Sequence, residues 1–476
     1  MFYIHWAFIL AYVFIIVSIM LAVLMDNRQP AKTIAWVMVL LFMPIVGIIL
    51  YVFFGRNTRK MTFISQRSLD QLSKRSMLEF VEQRQLTLPD DYRSLIQLFT
   101  NQSLALPFKD NEVEFYTDGY EFFPALLKSI ASARKHIHLE TYIFADDALG
   151  RLVADALICK SREGVEVRLI YDDVGCWRVP CELVERMRRA GIGVNAFMPV
   201  KFPAFTSKVN YRNHRKVCVV DGVEAFVGGM NIALRYVKGI YKGRLPWRDT
   251  HLRIRGGAVS ALQRTFLVDW YFVDRTLVTN SKYYPPMPWR IDNNCLMQVV
   301  TSSPIAKWPD IMQGYVRILL EAKNYVYMES PYFLPTEQVL FAMRTAALAG
   351  VDVRLMIPRH SDSRLLELSS MSFVTEVLEA GVKIMFYEAG FNHSKLLVAD
   401  DALCTCGSTN IDFRSFENNF ESNVFIYDRT TALRMKEIFI SDEQECVDFL
   451  SVYSERKRPF MHRLAESLVR VFSPLL

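Results

Sequence analysis

Two imidazole and ammonium pairs stand out among the residues able to do chemistry. His214 is followed by Lys216 and Asp221, and His393, Lys395 and Asp400 repeat that spacing. A small-residue turn and an Asn come next in both copies, as Gly228-Gly229-Met230-Asn231 and Gly407-Ser408-Thr409-Asn410. Residues two apart on a strand share a face, so each His would present its ring beside an ammonium. A phosphodiester is an anion that resists attack, and its alkoxide leaves poorly unless protonated. Two imidazoles meet both difficulties: one attacks phosphorus and forms a phosphohistidine, and the other protonates the departing oxygen, then takes a proton from the incoming hydroxyl. Lys216, Lys395, Asn231 and Asn410 are suited to hold the nonbridging oxygens. The turns at Gly229 and Ser408 would let backbone approach the phosphate. The chemistry requires no metal or other cofactor.

Asp221 and Asp400 complete the candidate catalytic set by their place in the repeat, although Asp221-Gly222 is also a hairpin-turn signal that reads as architecture. Each His needs a further acid to fix its tautomer. Asp249, in Trp247-Arg248-Asp249-Thr250, and Glu421, in Asn419-Phe420-Glu421-Ser422-Asn423, occupy similar downstream positions, and which acid serves which His is open at this level. His5, His136, His138, His360 and His462 read as ordinary.

The elements that must position these groups are duplicated as well. Ala133 to Phe144, with an acid at Glu140, corresponds to Ala322 to Phe333, with an acid at Glu329; Gly164 to Ile170 corresponds to Gly350 to Met356, and Ala190 to Val194 to Ala380 to Ile384. Helix, glycine cap and strand recur in order, which predicts two tandem α/β halves, mixed sheets flanked by helices, sharing one active site at their seam. The expected boundaries are an anchor over 1–55, a polar connector over 56–108, a first half over 109–290 and a second half over 291–476.

The chain has 476 residues, 51% hydrophobic and 13% aromatic, which excludes a largely disordered protein. Phe2 to Met25 and Thr33 to Phe54 are two nearly uncharged apolar runs, each longer than the roughly 20 residues a helix needs to cross a bilayer. No basic stretch precedes the first run, and a second follows at once, so the pattern predicts a transmembrane hairpin rather than a cleaved signal peptide. Arg28 and Lys32 in the loop are outweighed by Arg56, Arg59, Lys60, Arg67, Lys74 and Arg75 beyond it, which places the catalytic remainder in the cytoplasm. That basic collar suits anionic lipid head groups. The net charge of +6 is modest, and two spans weigh against a nucleic-acid partner. Eight cysteines without paired CxxC spacing fit a reduced compartment, and Cys404-x-Cys406 reads as strand core rather than a zinc clip. Near the C-terminus Leu464, Leu468, Val471, Phe472 and Leu475 can share one helix face behind Arg456-Lys457-Arg458, a pattern compatible either with an interfacial helix or with packing on the second half.

The tandem motifs resemble the phospholipase D superfamily, whose members carry two HxKxxxxD motifs on duplicated α/β halves and react through a phosphohistidine. Within it the resemblance is to bacterial cardiolipin synthases, and it covers nearly the whole chain, including Pro30, Ala35-Trp36, Pro44, Gly47, Tyr51 and Gly55 in the hairpin, Asn410 to Ser415 after the second motif, and the ending Phe472 to Leu476. Gly229 stands where Ser is commoner, a departure the first half of such synthases shares. The resemblance implies transfer of a phosphatidyl group from one phosphatidylglycerol to another, giving cardiolipin and glycerol, at a bacterial inner membrane. It implies His214 as nucleophile and His393 as acid and base. Phosphatidylethanolamine as a co-substrate, a membrane-bound phospholipase or nuclease of the same superfamily, and an inactive lipid-binding scaffold are the competing readings. Oligomeric state is left open.

Overall fold

The computed structural model describes residues 2–25, 30–51, 86, 88–200, 210–239, 245–452, 460–471 and 473. The hairpin loop, the basic collar after it, Arg456-Lys457-Arg458 and the last apolar residues Phe472 and Leu475 lie outside the described residues. The first apolar run is helical as α1 (Phe2–Met25), 24 residues without an Asp, Glu, Lys or Arg. In the second run the ring of Pro44 disfavours helical backbone at the residue before it. Met43 accordingly sits at φ −134° and ψ 62°, and the run divides into α2 (Pro30–Phe42) and α3 (Pro44–Leu50). Counted over the residues described in full, no helix is long and apolar enough to cross a membrane. These helices belong to one compact unit and the α/β halves to another.

The second unit opens with the helix Arg93–Ser103 and the short strand β1 (Pro107–Phe108). The first half then contributes β2 (Asn111–Tyr116), β3 (His136–Thr141), β4 (Glu166–Asp172), β5 (Gly193–Phe197), β6 (Val217–Val220), β7 (Glu224–Gly228) and β8 (His251–Gly256), in the sheet order β2-β8-β7-β6-β3-β4-β5. The second half contributes β9 (Leu296–Ser302), β10 (Tyr325–Glu329), β11 (Phe333–Leu334), β12 (Asp352–Pro358), β13 (Lys383–Tyr387), β14 (Leu396–Ala399), β15 (Leu403–Gly407), β16 (Ile411–Asp412), β17 (Glu421–Tyr427) and β18 (Cys446–Asp448). Its main sheet runs β1-β9-β17-β15-β14-β10-β12-β13-β18, so the central seven strands repeat the first sheet's order. In each main sheet three strands, β3-β4-β5 or β10-β12-β13, are parallel and the rest pair antiparallel, while β11 and β16 form a separate parallel pair. The expected pair of mixed α/β halves is therefore present. The glycines at the matched helix ends, Gly164 and Gly350, take φ of +91° and +94°, a conformation that other residues adopt only under strain.

Alternation along the motif strands explains why the halves associate. Val217 and Val219 of β6, and Leu396 and Val398 of β14, enter one core drawn from both sheets, together with the helices Ala258–Asp274 and Arg429–Glu443. Cys218 and Val220 turn instead to the first half's own core, Leu397 and Ala399 to the second's. Cys404 and Cys406 are fully buried in the shared core, as strand residues should be.

The connector boundary at 108 is corrected by the structure. Leu95, Ile96 and Phe99 of the helix Arg93–Ser103 are buried in the second half's core, and β1 pairs with β9 at the edge of that sheet. An amphipathic helix with its apolar stripe against a core is an integral layer, not a linker. Phe99 packs on Phe425 with ring centroids 4.5 Å apart. Phe99→Ala should lower the unfolding free energy by about 3–5 kcal/mol in chemical denaturation, whereas a change within ±0.5 kcal/mol, as for a solvated linker, would contradict this placement.

Candidate active site

Each motif enters its strand through a segment that pairs with the opposite half. His214 N donates to Phe420 O at 2.9 Å and Phe420 N to Arg212 O at 2.9 Å; in the second copy His393 N donates to Arg248 O at 2.6 Å and Arg248 N to Phe391 O at 3.0 Å. The expectation of His and Lys within one regular strand is thus refined: they stand just ahead of β6 and β14, in backbone bridged across the seam. The Asn before each His fixes this entry. Asn213 donates its side-chain amide to Glu140 and accepts from Arg215 N, while Asn392 donates to Glu329 at 3.0 Å and accepts from Ser394 N. The two duplicated strand acids are therefore buried supports of the motif, one per half.

The acids that orient the rings come from the other half. Nδ1 of His214 lies 3.0 Å from Glu421 Oε1, and Nδ1 of His393 lies 2.6 Å from Asp249 Oδ2. All four groups are buried. A carboxylate accepts the hydrogen bond from Nδ1–H and so leaves Nε2 to face a reactant. Burial would raise the Glu421 pKa, but His214, Lys216 and a hydrogen bond from Ser408 hold it below its ordinary value. Burial dominates at Asp249 and pushes it up, against the pull of Lys395 and the Thr250 N–H. Both imidazoles are held below their usual basicity, first by burial; at His393 the cations Lys395 and Lys216 and the ring of His214 add to the effect, whereas at His214 the Glu421 charge opposes it. Both rings are thus less basic than a free imidazole, and each has a carboxylate of the opposite half on Nδ1.

Lys216 Nζ donates to the His214 carbonyl at 2.6 Å, and Lys395 Nζ donates to the His393 carbonyl. Both ammonium groups are buried, which lowers their pKa, to about 8 for Lys395. Lys395 Nζ lies 3.9 Å from Asp249, and an anion entering beside these buried cations would add to that counter-charge.

The turn residues do not serve as expected. Ser408 Oγ donates to Glu421 and accepts from Ser422 N, so it positions the acid rather than facing a phosphate. Gly229 leaves room for Asp249: a Cβ there would overlap that carboxylate. Serine at this position and glutamate in one half, glycine and aspartate in the other, are alternative solutions to one packing problem. Asn231 accepts from Ile143 N and donates to Tyr236 Oη at 3.1 Å; Asn410 donates to Asp412 at 2.9 Å. Counting Asp221 and Asp400 as catalytic is corrected. Asp221 accepts from the backbone N–H groups of Arg134, Lys135 and His136, and Asp400 from those of Lys323, Asn324 and Tyr325. Each clamps the far end of its motif hairpin to the start of β3 or β10.

Four contributors escaped sequence reasoning. Tyr236 Oη lies 3.4 Å from His393 Nδ1, and the Tyr142 ring meets His214 edge-on with centroids 5.0 Å apart. His251 accepts from Met230 N and so holds the first turn. Arg248 reaches across the seam to Asp442 at 2.5 and 3.1 Å. The residue before each acid gave no signal, because one copy has Arg and the other Phe420. Among the described residues no group of three or more His, Cys, Asp or Glu side chains is arranged to hold a metal ion.

Comparison with known proteins agrees with this architecture. The family model described as "Cardiolipin synthase, PLD-like domain" matches residues 126–241 and 315–443, and one described as "Phospholipase_D-nuclease N-terminal" matches 9–56. A cardiolipin synthase of Alkalihalophilus pseudofirmus is 37% identical over 97% of this chain and 92% of its own length. The major cardiolipin synthase ClsA of Bacillus subtilis is 36% identical over 98% and 99%. Among solved structures, phosphatidylserine synthase from Haemophilus influenzae superposes with a TM-score of 0.60 at 14% identity, covering 81% of this chain and 98% of its own, a likeness of fold.

Gly229→Ala should displace Asp249 from His393 and reduce kcat by roughly 10²–10⁴-fold, the range set by loss of a tautomer-fixing acid, with the protein still folded by circular dichroism; undiminished turnover would contradict the assigned role of Asp249. Lys395→Met removes a cation that depresses His393. The limb of the pH–rate profile governed by that ring should then move to higher pH beside a fall in kcat, and an unmoved limb would separate the two groups.

Proposed function

We propose that this chain, which belongs to the phospholipase D-like cardiolipin synthase family, is a phosphatidyltransferase that makes cardiolipin and glycerol from two molecules of phosphatidylglycerol. The observation that carries the reading is the crossed pairing of two buried imidazoles with carboxylates of opposite halves, beside two buried lysines. His214 Nε2 attacks phosphorus and the bond from phosphorus to the glycerol oxygen breaks, while His393, entering the step as an imidazolium, gives its Nε2 proton to that oxygen. Glycerol departs, leaving phosphatidyl-His214. A hydroxyl of the second phosphatidylglycerol gives its proton to His393 and attacks phosphorus, and the P–N bond breaks to release cardiolipin. The order is favoured by electrostatics: Glu421, kept ionised, stabilises the positive charge that His214 gains on attack. Lys216 and Lys395, joined by Asn231 and Asn410 once their amides turn to substrate, hold the nonbridging oxygens.

We read α1 to α3 as a membrane hairpin, in keeping with the matched N-terminal family model, with the α/β halves on the cytoplasmic side of a bacterial membrane. A tethered enzyme searches a surface rather than a volume for substrates dissolved in the bilayer. The hairpin ends near 55; the first half begins near 109, and the second half includes 93–108 as well as the chain from 291.

Full-length protein in vesicles containing phosphatidylglycerol labelled at phosphorus and at the head-group glycerol should release free glycerol and accumulate labelled cardiolipin. Rapid acid quench should trap phosphorus on a histidine, and His214→Ala should abolish both signals. Phosphatidic acid as the sole lipid product would favour the hydrolase reading instead. A product formed without any trapped phosphohistidine and undiminished in His214→Ala would overturn the mechanism.

A further inference from the structure

The C-terminal helix Phe460–Val471 is turned inside out relative to an ordinary surface helix. It lies on the helix Arg364–Leu378 through polar side chains: Arg470 donates to Glu376 at 2.8 Å and to the Ser372 carbonyl, its guanidinium sits 4.2 Å from the Phe373 ring centroid, and Glu466 is only 8% exposed. Phe460, Met461, Leu464 and Leu468 stay exposed, at 75%, 68%, 40% and 58%. At about 100° per residue, these four fall on one side of the helix, and Glu466 with Arg470 falls on the opposite side. Amphipathic helices normally bury the apolar stripe and solvate the charges. Here ion pairing fixes the reverse orientation, so the stripe is held outward rather than left there by loose packing. A contiguous run of large apolar side chains facing water marks a surface that another phase or molecule covers.

We propose that this face is a lipid-docking surface, through which the second half lies against an anionic bilayer separately from the N-terminal helices. Charge selects the occupant. From Tyr453 to Leu476 the sequence carries Arg456, Lys457, Arg458 and Arg463, apart from Arg470 that Glu376 engages, against two acids, Glu455 and the buried Glu466. Basic residues beside an outward apolar stripe are the composition of a helix that lies in the plane of a membrane interface, with its apolar side in the acyl boundary and its cations at lipid phosphates. A second copy of the helix would bring like charges together. The choice of a bilayer rests on the lipid-transfer reading above; the outward orientation does not. Docking at this helix would hold the second half at the depth from which lipid head groups are drawn.

The test reads contact and not turnover, so that it fails independently of the enzymatic reading. Leu468→Cys and, as reference, His462→Cys on the helix's other side are made in full-length protein whose exposed cysteines carry Cys159→Ser and Cys181→Ser. Each is labelled with an environment-sensitive fluorophore and reconstituted in vesicles of phosphatidylcholine and phosphatidylglycerol with and without nitroxide-labelled lipid. Quenching at Leu468→Cys should exceed that at His462→Cys by threefold or more, in otherwise wild-type protein and equally with His214→Ala. Equal quenching at the two positions, no quenching at either, or shielding of Leu468→Cys in detergent with cross-linking between two copies would overturn the proposal.

Discussion

Two buried hydrogen bonds from imidazole Nδ1 to carboxylate, each crossing from one half of the protein to the other, are the constraint on which the rest of the structure depends. Neither half contains a complete site: the first supplies His214 and Asp249, the second His393 and Glu421, and only their association gives each ring its acid. A carboxylate buried without its partner carries a heavy desolvation penalty. Removal of either ring would therefore strand a buried carboxylate at the seam where β6, β14 and their neighbours pack. Backbone bridges at Asn213 with Phe420 and at Arg248 with Asn392, and the Arg248 to Asp442 ion pair, hold the same seam in register.

The crossed arrangement also makes a duplicated protein asymmetric where asymmetry has a use. A two-step transfer needs one ring to attack and another to move protons, so identical environments would serve neither role well. Glutamate supported by Ser408 and Asn419 keeps a charge beside His214. Shorter Asp249, seated over Gly229, faces a ring whose basicity burial and Lys395 lower well below the usual value. The halves differ at two compensating positions, acid length against turn-residue size, with no change in the strand order.

Much of this was legible in the sequence. Repeated His and Lys at one spacing singled out the groups that the fold gathers at the seam, and repeated helix, glycine and strand units gave the two mixed sheets, because periodicity and glycine caps are local properties. Pairing of Asp249 with His393 and Glu421 with His214 was not, since it depends on which half faces which. The roles of Ser408, Gly229, Asp221 and Asp400 were misjudged for a related reason. A small residue in a turn or an acid before a glycine looks the same whether it touches a ligand, another side chain or backbone, and only the three N–H groups gathered by each Asp decide. The helix Arg93–Ser103 looked like part of a polar connector because a few buried residues, among them Phe99, are enough to bind it to a core that begins some two hundred positions later.

Nitrogen resonances of the two rings in protein carrying ¹⁵N-labelled histidine test the crossed pairing most directly. Asp249→Asn should shift Nδ1 of His393 and leave His214 in place, and Glu421→Gln should do the reverse, with Nδ1 of both rings protonated in the unsubstituted protein. If loss of each acid instead disturbed the histidine of its own half, the site described here would be wrong.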